Sequence, residues 1–251
     1  MNKIVTNLAL TLAFFSRIPL PSSLGNRISH DAKLGEAAAF FPIAGLILSI
    51  PVAVIWFVAS SYLPATIAAG LALGLSLLIT GGLHEDGFAD CADGLGATPN
   101  RERALEIMRD SRIGTYGSLA LILSIGLRWA ALASLGPISG VLAIVICNAG
   151  SRSAMTIAMQ FSQYARPEGL GKQANTIRQN DFIAAIIIAF LIAILCGWFW
   201  GAIALSLAYL ASWLFLKRIE HRLGGYTGDG LGAMEQIAEI TILITLAGAW
   251  S

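Results

Sequence analysis

The segment FIAAIIIAFLIAILCGWFWGAIALSLAYLASWLFL, residues 182–216, contains no charged side chain over 35 positions. A single helix of this length would reach about 52 Å, whereas the hydrocarbon core of a bilayer is roughly 30 Å thick. The segment therefore predicts two transmembrane helices, Phe182–Trp198 and Ala202–Leu216, that reverse direction at Gly197–Gly201. The aromatic residues of that turn suit a membrane interface.

The overall composition predicts the same class of protein. Hydrophobic residues make up 56% of the 251 positions, charged residues only 12%, and the mean hydropathy is +0.73. Soluble domains are about 45–50% apolar and about 25% charged. We expect an all-α, polytopic membrane helix bundle. Because no internal repeat or soluble appendage is visible, residues 1–251 are predicted to form a single integral membrane domain. The formal net charge of +1 does not suggest a nucleic-acid partner.

Seven apolar runs are long enough to cross a bilayer. In addition to the two above, they are Ala37–Ser60, Ala65–Leu83, Tyr116–Leu135, Ile138–Phe161 and about Ala233–Trp250. The apolar stretch Ile4–Phe15 covers only about 18 Å, so we predict an N-terminal amphipathic helix at the membrane interface.

Basic residues are confined to one set of connections. Of the 16 Lys and Arg, 14 lie in the N-terminal segment or in the connections 85–115, 162–181 and 217–232, which a seven-span chain places on one side. The opposite connections carry no charge. By the positive-inside rule, the charged side is cytoplasmic.

An acidic motif, GLHEDGFADCADG at residues 82–94, follows the second apolar run. In a helix, Asp86, Asp90 and Asp93 share one face, where like charges destabilise an isolated helix unless a cation is present. Carboxylate oxygens at this spacing suit Mg²⁺. We predict Asp86, Asp90, Asp93 and Glu85 as metal ligands, and the three aspartates with His84 as catalytic candidates. A solvated acidic loop is the alternative. The glycines at 87 and 94 would let a ligand approach the backbone.

Two further segments belong to the same predicted face. The sequence EIMRDSRIG, residues 106–114, places Arg109 and Arg112 beside Asp110, and guanidinium groups bind phosphate through a rigid fork of donors. The sequence GGYTGDGLG, residues 224–232, precedes the last span, where Gly228 and Asp229 are predicted to contact a phosphate at a helix N-terminus. The alternatives are membrane-anchoring arginines and a flexible connector.

Three ionisable residues lie inside predicted spans: Arg128, Arg152 and Glu239. Such groups normally have partners inside a bundle. Glu239 could form a structural pair with Arg128 or with Arg152, and we favour the structural role for Arg128. Arg152 is instead a candidate for phosphate binding from below.

Together these motifs resemble those of the cobalamin synthase family, the adenosylcobinamide-GDP ribazoletransferases. The resemblance covers residues 82–94, 106–114 and 225–233, together with FFPIAG at residues 40–45. Two positions depart from the family pattern: Gly230 replaces a small hydroxyl residue, and Arg109 replaces a frequent lysine.

The resemblance implies a Mg²⁺-dependent enzyme of the bacterial inner membrane. Its substrates would be adenosylcobinamide-GDP and α-ribazole or α-ribazole phosphate. It would transfer the cobinamide phosphate group to α-ribazole, form adenosylcobalamin or its phosphate, and release GMP. Other enzymes of cobalamin assembly would be its protein partners.

Two other functions would each explain part of this sequence. The fragment Asp86-Gly-Phe-Ala89 resembles part of the CDP-alcohol phosphotransferase motif, but Asp90 stands where that family has arginine. A cation-coupled transporter would explain Arg128, Arg152 and Glu239. Transporters usually place their site near the bilayer midplane, however, and the polar residues here concentrate at one surface.

Overall fold

The structure is a computed structural model of the chain, and it describes residues 3–19, 34–166 and 177–251. The described residues confirm the predicted all-α fold. Their helices are α1 Lys3–Phe15, a 3₁₀ helix Leu34–Phe40, α2 Phe41–Tyr62, α3 Ala65–Thr80, α4 Leu83–Ala97, α5 Arg101–Ile107, α6 Thr115–Ala133, α7 Pro137–Phe161, α8 Gln179–Leu223 and α9 Gly228–Trp250.

Helix α8 is a hairpin, as its length and lack of charge predict. Its 45 residues are interrupted at Trp198, whose backbone is not helical (φ 48°, ψ −133°). The rings of Phe190 and Tyr209 lie 5.7 Å apart between centroids, although 19 residues of straight helix would separate them by about 28 Å. A Cβ atom on Gly201 would collide with the backbone oxygen of Ala193. The two arms therefore run antiparallel.

The structure gives five or six candidate spans, against the predicted seven. By length and composition, five helices of the described chain can cross a membrane, or six when the bent pair α3–α4 counts as one span. That count treats α8 as a single helix, although its two arms separate at Trp198.

The acidic motif forms a helix of its own. Gly81 and Gly82 both have left-handed backbones, with φ of 68° and 70°, which glycine adopts without steric cost. This turn makes α4 leave the axis of α3 at 88°. The predicted span Ala65–Leu83 therefore ends at Thr80, and α4 lies outside the span.

Helix α7 forms the centre of the bundle, and it packs against α2, α8 and α9. Small residues allow the close approach: a Cβ atom on Gly45 of α2 would collide with the backbone oxygen of Asn148. At the other end, Trp56 Nε1 donates to the backbone oxygen of Pro137 at 3.0 Å.

Helix α1 confirms the predicted N-terminal helix, but its last turn is inserted into the bundle. The ring of Phe15 is fully buried and lies 4.8 Å from the ring of Phe41 and 5.8 Å from that of His84. Ile4 and Val5 at the other end are exposed. The C-terminal end of α1 is therefore held in the bundle by Phe15, and its N-terminal end pairs with the 3₁₀ helix through Lys3 and Glu36 at 3.5 Å.

Arginines tie the polar connections together at one end of the bundle. Arg101 donates to the backbone oxygens of Leu223 and Ala165 at 2.7 and 3.0 Å. Arg222 donates to the backbone oxygen of Thr98. The connections that the sequence places on one side do meet there.

Candidate active site

Helices α4 and α9 cross at two glycines. A Cβ atom on Gly87 would lie 2.8 Å from the backbone oxygen of Asp229, and one on Gly232 would lie 3.2 Å from that of His84. The predicted reason for Gly87 was the approach of a ligand, whereas the structure shows the approach of α9. Gly94 faces helix α5 in the same way. This crossing brings the first and third motifs together.

Three carboxylates meet at the crossing. Asp86 is exposed, and Asp90 and Asp229 are half-buried. Burial raises the pKa of Asp90 to about 7, and the negative charges of Asp86 and Asp229 act in the same direction. Within the described chain, Arg166 is the cation that pairs with this group, with Nη2 2.8 Å from Oδ2 of Asp229. Among the described residues of this cluster, negative charge therefore exceeds positive charge.

Glu85 lies on a different face of α4 from these aspartates. Its Oε1 accepts hydrogen bonds from Arg128 Nη2 at 3.0 Å and from Gln236 Nε2 at 3.1 Å. Arg128 also pairs with Glu239 at 3.0 Å, which confirms the predicted structural pair. The Glu85 carboxylate is therefore buried, with Oε1 held in this network and Oε2 without a hydrogen-bond partner among the described residues.

Asp93 is also held by the protein itself. It is buried, and its two oxygens accept hydrogen bonds from the backbone N–H groups of Gly114 at 2.7 Å and Gly117 at 2.8 Å. These groups lie at the start of α6, where N–H groups have no partner within the helix. The carboxylate therefore caps α6 across helices. Both oxygens of the predicted metal ligand Asp93 are thus already used within the protein.

Arg152 and His84 are buried side chains next to the carboxylate cluster. Arg152 donates to Oδ1 of Asn148 at 2.9 Å and pairs with Glu235 at 3.6 Å, so described residues already bind the guanidinium predicted to reach a phosphate. His84 is buried, and neither ring nitrogen has a hydrogen-bond partner among the described residues. Burial lowers the pKa of His84 to about 3, with the charge of Arg152 acting in the same direction.

A cavity of about 160 Å³ opens at the crossing. His84, Asp86 and Asp229 form its polar side. The apolar part of the lining consists of Phe14, Leu34, Leu83, Met155 and Leu231. Backbone of Gly87, Gly228 and Gly232 completes the lining.

Gly228 begins helix α9 at the edge of this cavity. A Cβ atom there would have no heavy atom within 4 Å in the described chain, so the backbone is accessible. Thr227 precedes it and caps the helix, with Oγ1 accepting from the N–H of Gly230 at 3.0 Å. The open first turn fits the predicted phosphate contact.

The second motif lies farther out. Arg109 and Arg112 are exposed, and Arg112 forms a forked pair with Asp110, with contacts of 2.7 to 3.2 Å. These hydrogen bonds lower the pKa of Asp110 to about 2. None of the three lines the cavity.

Arg166 is the site residue that the sequence did not single out. It lies in the connection after α7, where it counted only toward the excess of basic residues. No local pattern links it to Asp229, which is 63 positions away. The ladder that joins Gln163 and Ala165 to Tyr226 brings the two together.

Comparison with known proteins gives one consistent result. The sequence model described as cobalamin-5-phosphate synthase matches residues 7–247. The adenosylcobinamide-GDP ribazoletransferase of Allorhizobium ampelinum is 40% identical over 98% of this chain and 97% of its own length. The proteins of the same name from Bradyrhizobium diazoefficiens and Ralstonia pickettii are 39% and 37% identical, over 98% and 95% of this chain and 95% and 93% of their own. No solved structure matches.

Proposed function

The chain belongs to the cobalamin-5-phosphate synthase family, and we propose from this that it is an adenosylcobinamide-GDP ribazoletransferase that performs the final assembly step of cobalamin. In this reaction a ribose hydroxyl of α-ribazole, or of α-ribazole phosphate, attacks the phosphorus that carries cobinamide. The bond from that phosphorus to GMP breaks, and GMP leaves. The product is adenosylcobalamin or its phosphate.

The observation that supports this proposal is the cluster of Asp86, Asp90 and Asp229, of which Asp86 and Asp229 line the cavity, within a family match that spans nearly the whole chain. Phosphoryl transfer depends mainly on positioning and on stabilising charge. A surplus of carboxylates that attracts a cation, beside an accessible helix N-terminus at Gly228, provides both for a diphosphate.

We propose Mg²⁺ as the cation, with Asp86, Asp90 and Asp229 as its protein ligands. Mg²⁺ is commonly held by one or two carboxylates together with substrate phosphates and waters. In the described residues no group of three His, Cys, Asp or Glu side chains is arranged to hold a metal by itself, so we expect the substrate to complete the site. When bound, the ion would neutralise charge on the diphosphate and on the leaving nucleotide.

We assign the remaining roles as follows. The guanidinium of Arg166 holds Asp229 and is positioned to bind a phosphate oxygen when that pair opens. Arg109 and Arg112 are exposed and lie outside the cavity lining. We propose that they bind the anionic substrate before it reaches the cavity, with Asp110 orienting Arg112. Arg152 supports the floor of the site through its buried contacts. The acceptor of the hydroxyl proton is one of Asp86, Asp90 and His84.

We also propose that the chain is one domain of the inner membrane whose active face is cytoplasmic. The asymmetry of basic residues supports this orientation. Reporter fusions test it: a periplasmic phosphatase should be active at Gly201 and inactive at Gly171, which lies outside the described residues. The opposite pattern in stably expressed fusions would contradict the orientation.

The function is tested with detergent-purified protein, Mg²⁺, adenosylcobinamide-GDP and α-ribazole phosphate. We expect GMP and the corrin product in equal amounts, and neither in the presence of a chelator. A CDP-activated lipid with an alcohol acceptor serves as the competing substrate pair. Release of CMP without GMP would favour the phospholipid-type reaction. Absence of both nucleotides from folded protein would exclude either enzymatic function.

A further inference from the structure

The lining of the cavity at the α4–α9 crossing is chemically mixed. It combines the carboxylates of Asp86 and Asp229 with the apolar side chains of Phe14, Met155 and Leu231. Apolar side chains do not stabilise a metal ion or a phosphate, since burying such groups against hydrocarbon costs free energy. The occupant should therefore combine an apolar body with a polar part that reaches the carboxylates.

His84 adds a specific requirement. Its side chain is 2% exposed, it lines the cavity, and both ring nitrogens lack a partner among the described residues. A buried polar atom without a hydrogen bond costs about 1–3 kcal/mol. An imidazole always carries at least one N–H donor. The occupant should therefore present a hydrogen-bond acceptor within an otherwise apolar group.

The size of the cavity distinguishes between the parts of the two substrates. The cavity measures about 160 Å³, which is of the order of an engineered cavity that binds a small aromatic molecule. A corrin is far larger. Guanine carries donors and acceptors around most of its edge, and the apolar wall would leave them unpaired. A ribosylated benzimidazole instead has one unprotonated ring nitrogen and an otherwise apolar edge.

On the basis of the proposed function, we propose that this cavity binds the heteroaromatic base of the ribazole acceptor. In this arrangement His84 donates a hydrogen bond to the free ring nitrogen, and Phe14 and Met155 pack against the ring. The attached ribose then lies beside Asp86 and Asp229, where its hydroxyl reacts. His84 and Phe14 thereby determine which acceptor base the enzyme prefers.

The direct test is equilibrium binding of α-ribazole to the detergent-purified full-length chain, without donor and with a chelator present. The comparison ligand is an analogue in which the free ring nitrogen is replaced by CH. We expect wild-type protein to bind α-ribazole about tenfold more tightly than the analogue, the effect of one hydrogen bond. His84→Phe should bind both equally, and His84→Gln, which retains a donor, should recover part of the preference.

Phe14→Ala probes the apolar wall, and Phe182→Ala is its matched control, because Phe182 is also partly buried but contacts Phe161 away from the cavity. We expect Phe14→Ala to weaken binding of both nucleosides and Phe182→Ala to leave it unchanged. In turnover assays, His84→Phe and Phe14→Ala should raise KM for α-ribazole and leave KM for adenosylcobinamide-GDP unchanged.

Several results would overturn this inference. They are equal binding of both nucleosides by wild-type protein, a preference that survives in His84→Phe, or GMP binding that depends on His84 and Phe14. If any of these occurs while wild-type protein still releases GMP during turnover, only this inference fails. If folded wild-type protein releases no GMP, the proposed function fails.

Discussion

Glu85 and Asp86 are consecutive carboxylates of helix α4 with opposite surroundings. Glu85 is buried and accepts hydrogen bonds from Arg128 and Gln236. Asp86 is exposed at the cavity, beside Asp90 and Asp229, where negative charge exceeds positive charge. One helix thus contributes both to a buried ion-pair network and to the carboxylate cluster that we propose as the metal site.

The comparison teaches that partners, rather than residue type, separate structural from functional carboxylates. A buried charge is tolerated when it is paired and hydrogen-bonded. A cluster of half-exposed carboxylates with few cations persists only if something else balances its charge. Substitutions on the two faces of α4 should therefore have different consequences.

The largest expected effect is on turnover at the cavity. Asp86→Asn and Asp90→Asn each remove a charge with little change in shape, and we expect GMP release to fall by about 10²–10³-fold. Thermal unfolding of the metal-free protein should be unchanged or slightly improved, because repulsion is relieved. Glu102→Gln, an exposed carboxylate outside the site, is the matched control. A normal rate in both aspartate variants would exclude this cluster as the reactive site.

The next effect is on stability at the buried network. Arg128→Leu leaves Glu85 and Glu239 without their cation, and we expect a loss of about 3–5 kcal/mol in the free energy of unfolding. Replacing Glu85 and Glu239 by leucine in the same variant should recover most of it. Thermal unfolding in detergent measures both.

The control for that network is an exposed ion pair. Lys217→Leu breaks the pair with Glu220, whose atoms lie 2.7 Å apart, and should cost only about 0–1 kcal/mol. Equal losses in Arg128→Leu and Lys217→Leu would contradict the special role of the buried network.

A smaller effect is expected at Asp93. Asp93→Ala removes the acceptor for the N–H groups of Gly114 and Gly117, and should cost about 1–2 kcal/mol of stability, as the loss of a helix cap does. Asp93→Asn retains one acceptor oxygen and should cost less. Turnover per folded molecule should stay within a fewfold of wild type. If Asp93→Ala keeps wild-type stability but loses turnover, that result would support Asp93 as a metal ligand.

The smallest effect is a pH dependence caused by Asp90. The pKa of this carboxyl is about 7 in the folded protein and about 3.9 in an unfolded chain. The folded state therefore binds more protons between these values, so stability falls as the pH rises from about 4 to 7 and levels off above 7. Because the side chain is partly exposed, we expect about 1 kcal/mol, or roughly 2–4 °C in Tm.

The measurement is Tm of the metal-free protein across this pH range. Asp90→Asn should remove the slope, and Mg²⁺ at pH 8 should raise Tm of the wild type more than that of the variant. A slope that persists in Asp90→Asn would assign the titration to another group.

The membrane class, the reversal within residues 182–216 and the helical acidic motif follow from sequence alone. The reasons are local: an uncharged run longer than one bilayer must turn, and aspartates spaced at helical intervals share one face. The turn at Gly81 and Gly82, which ends α3 before the predicted Leu83, came from the structure. The motifs also identify the family. The Arg128–Glu239 pair is predictable because an isolated charge inside a span requires a partner.

Only the tertiary structure decided which carboxylates are free. The sequence places Glu85, Asp86, Asp90 and Asp93 in one motif and treats them alike. The crossing of α4 and α9 at Gly87, together with the positions of Arg128 and the start of α6, gives Glu85 Oε1 and both oxygens of Asp93 hydrogen-bond donors from the protein. Asp86 lines the cavity, and Asp90 lies beside it in the carboxylate cluster. Hydrogen bonds over 21 to 151 positions make this distinction, and no local pattern encodes contacts between residues so far apart in the chain.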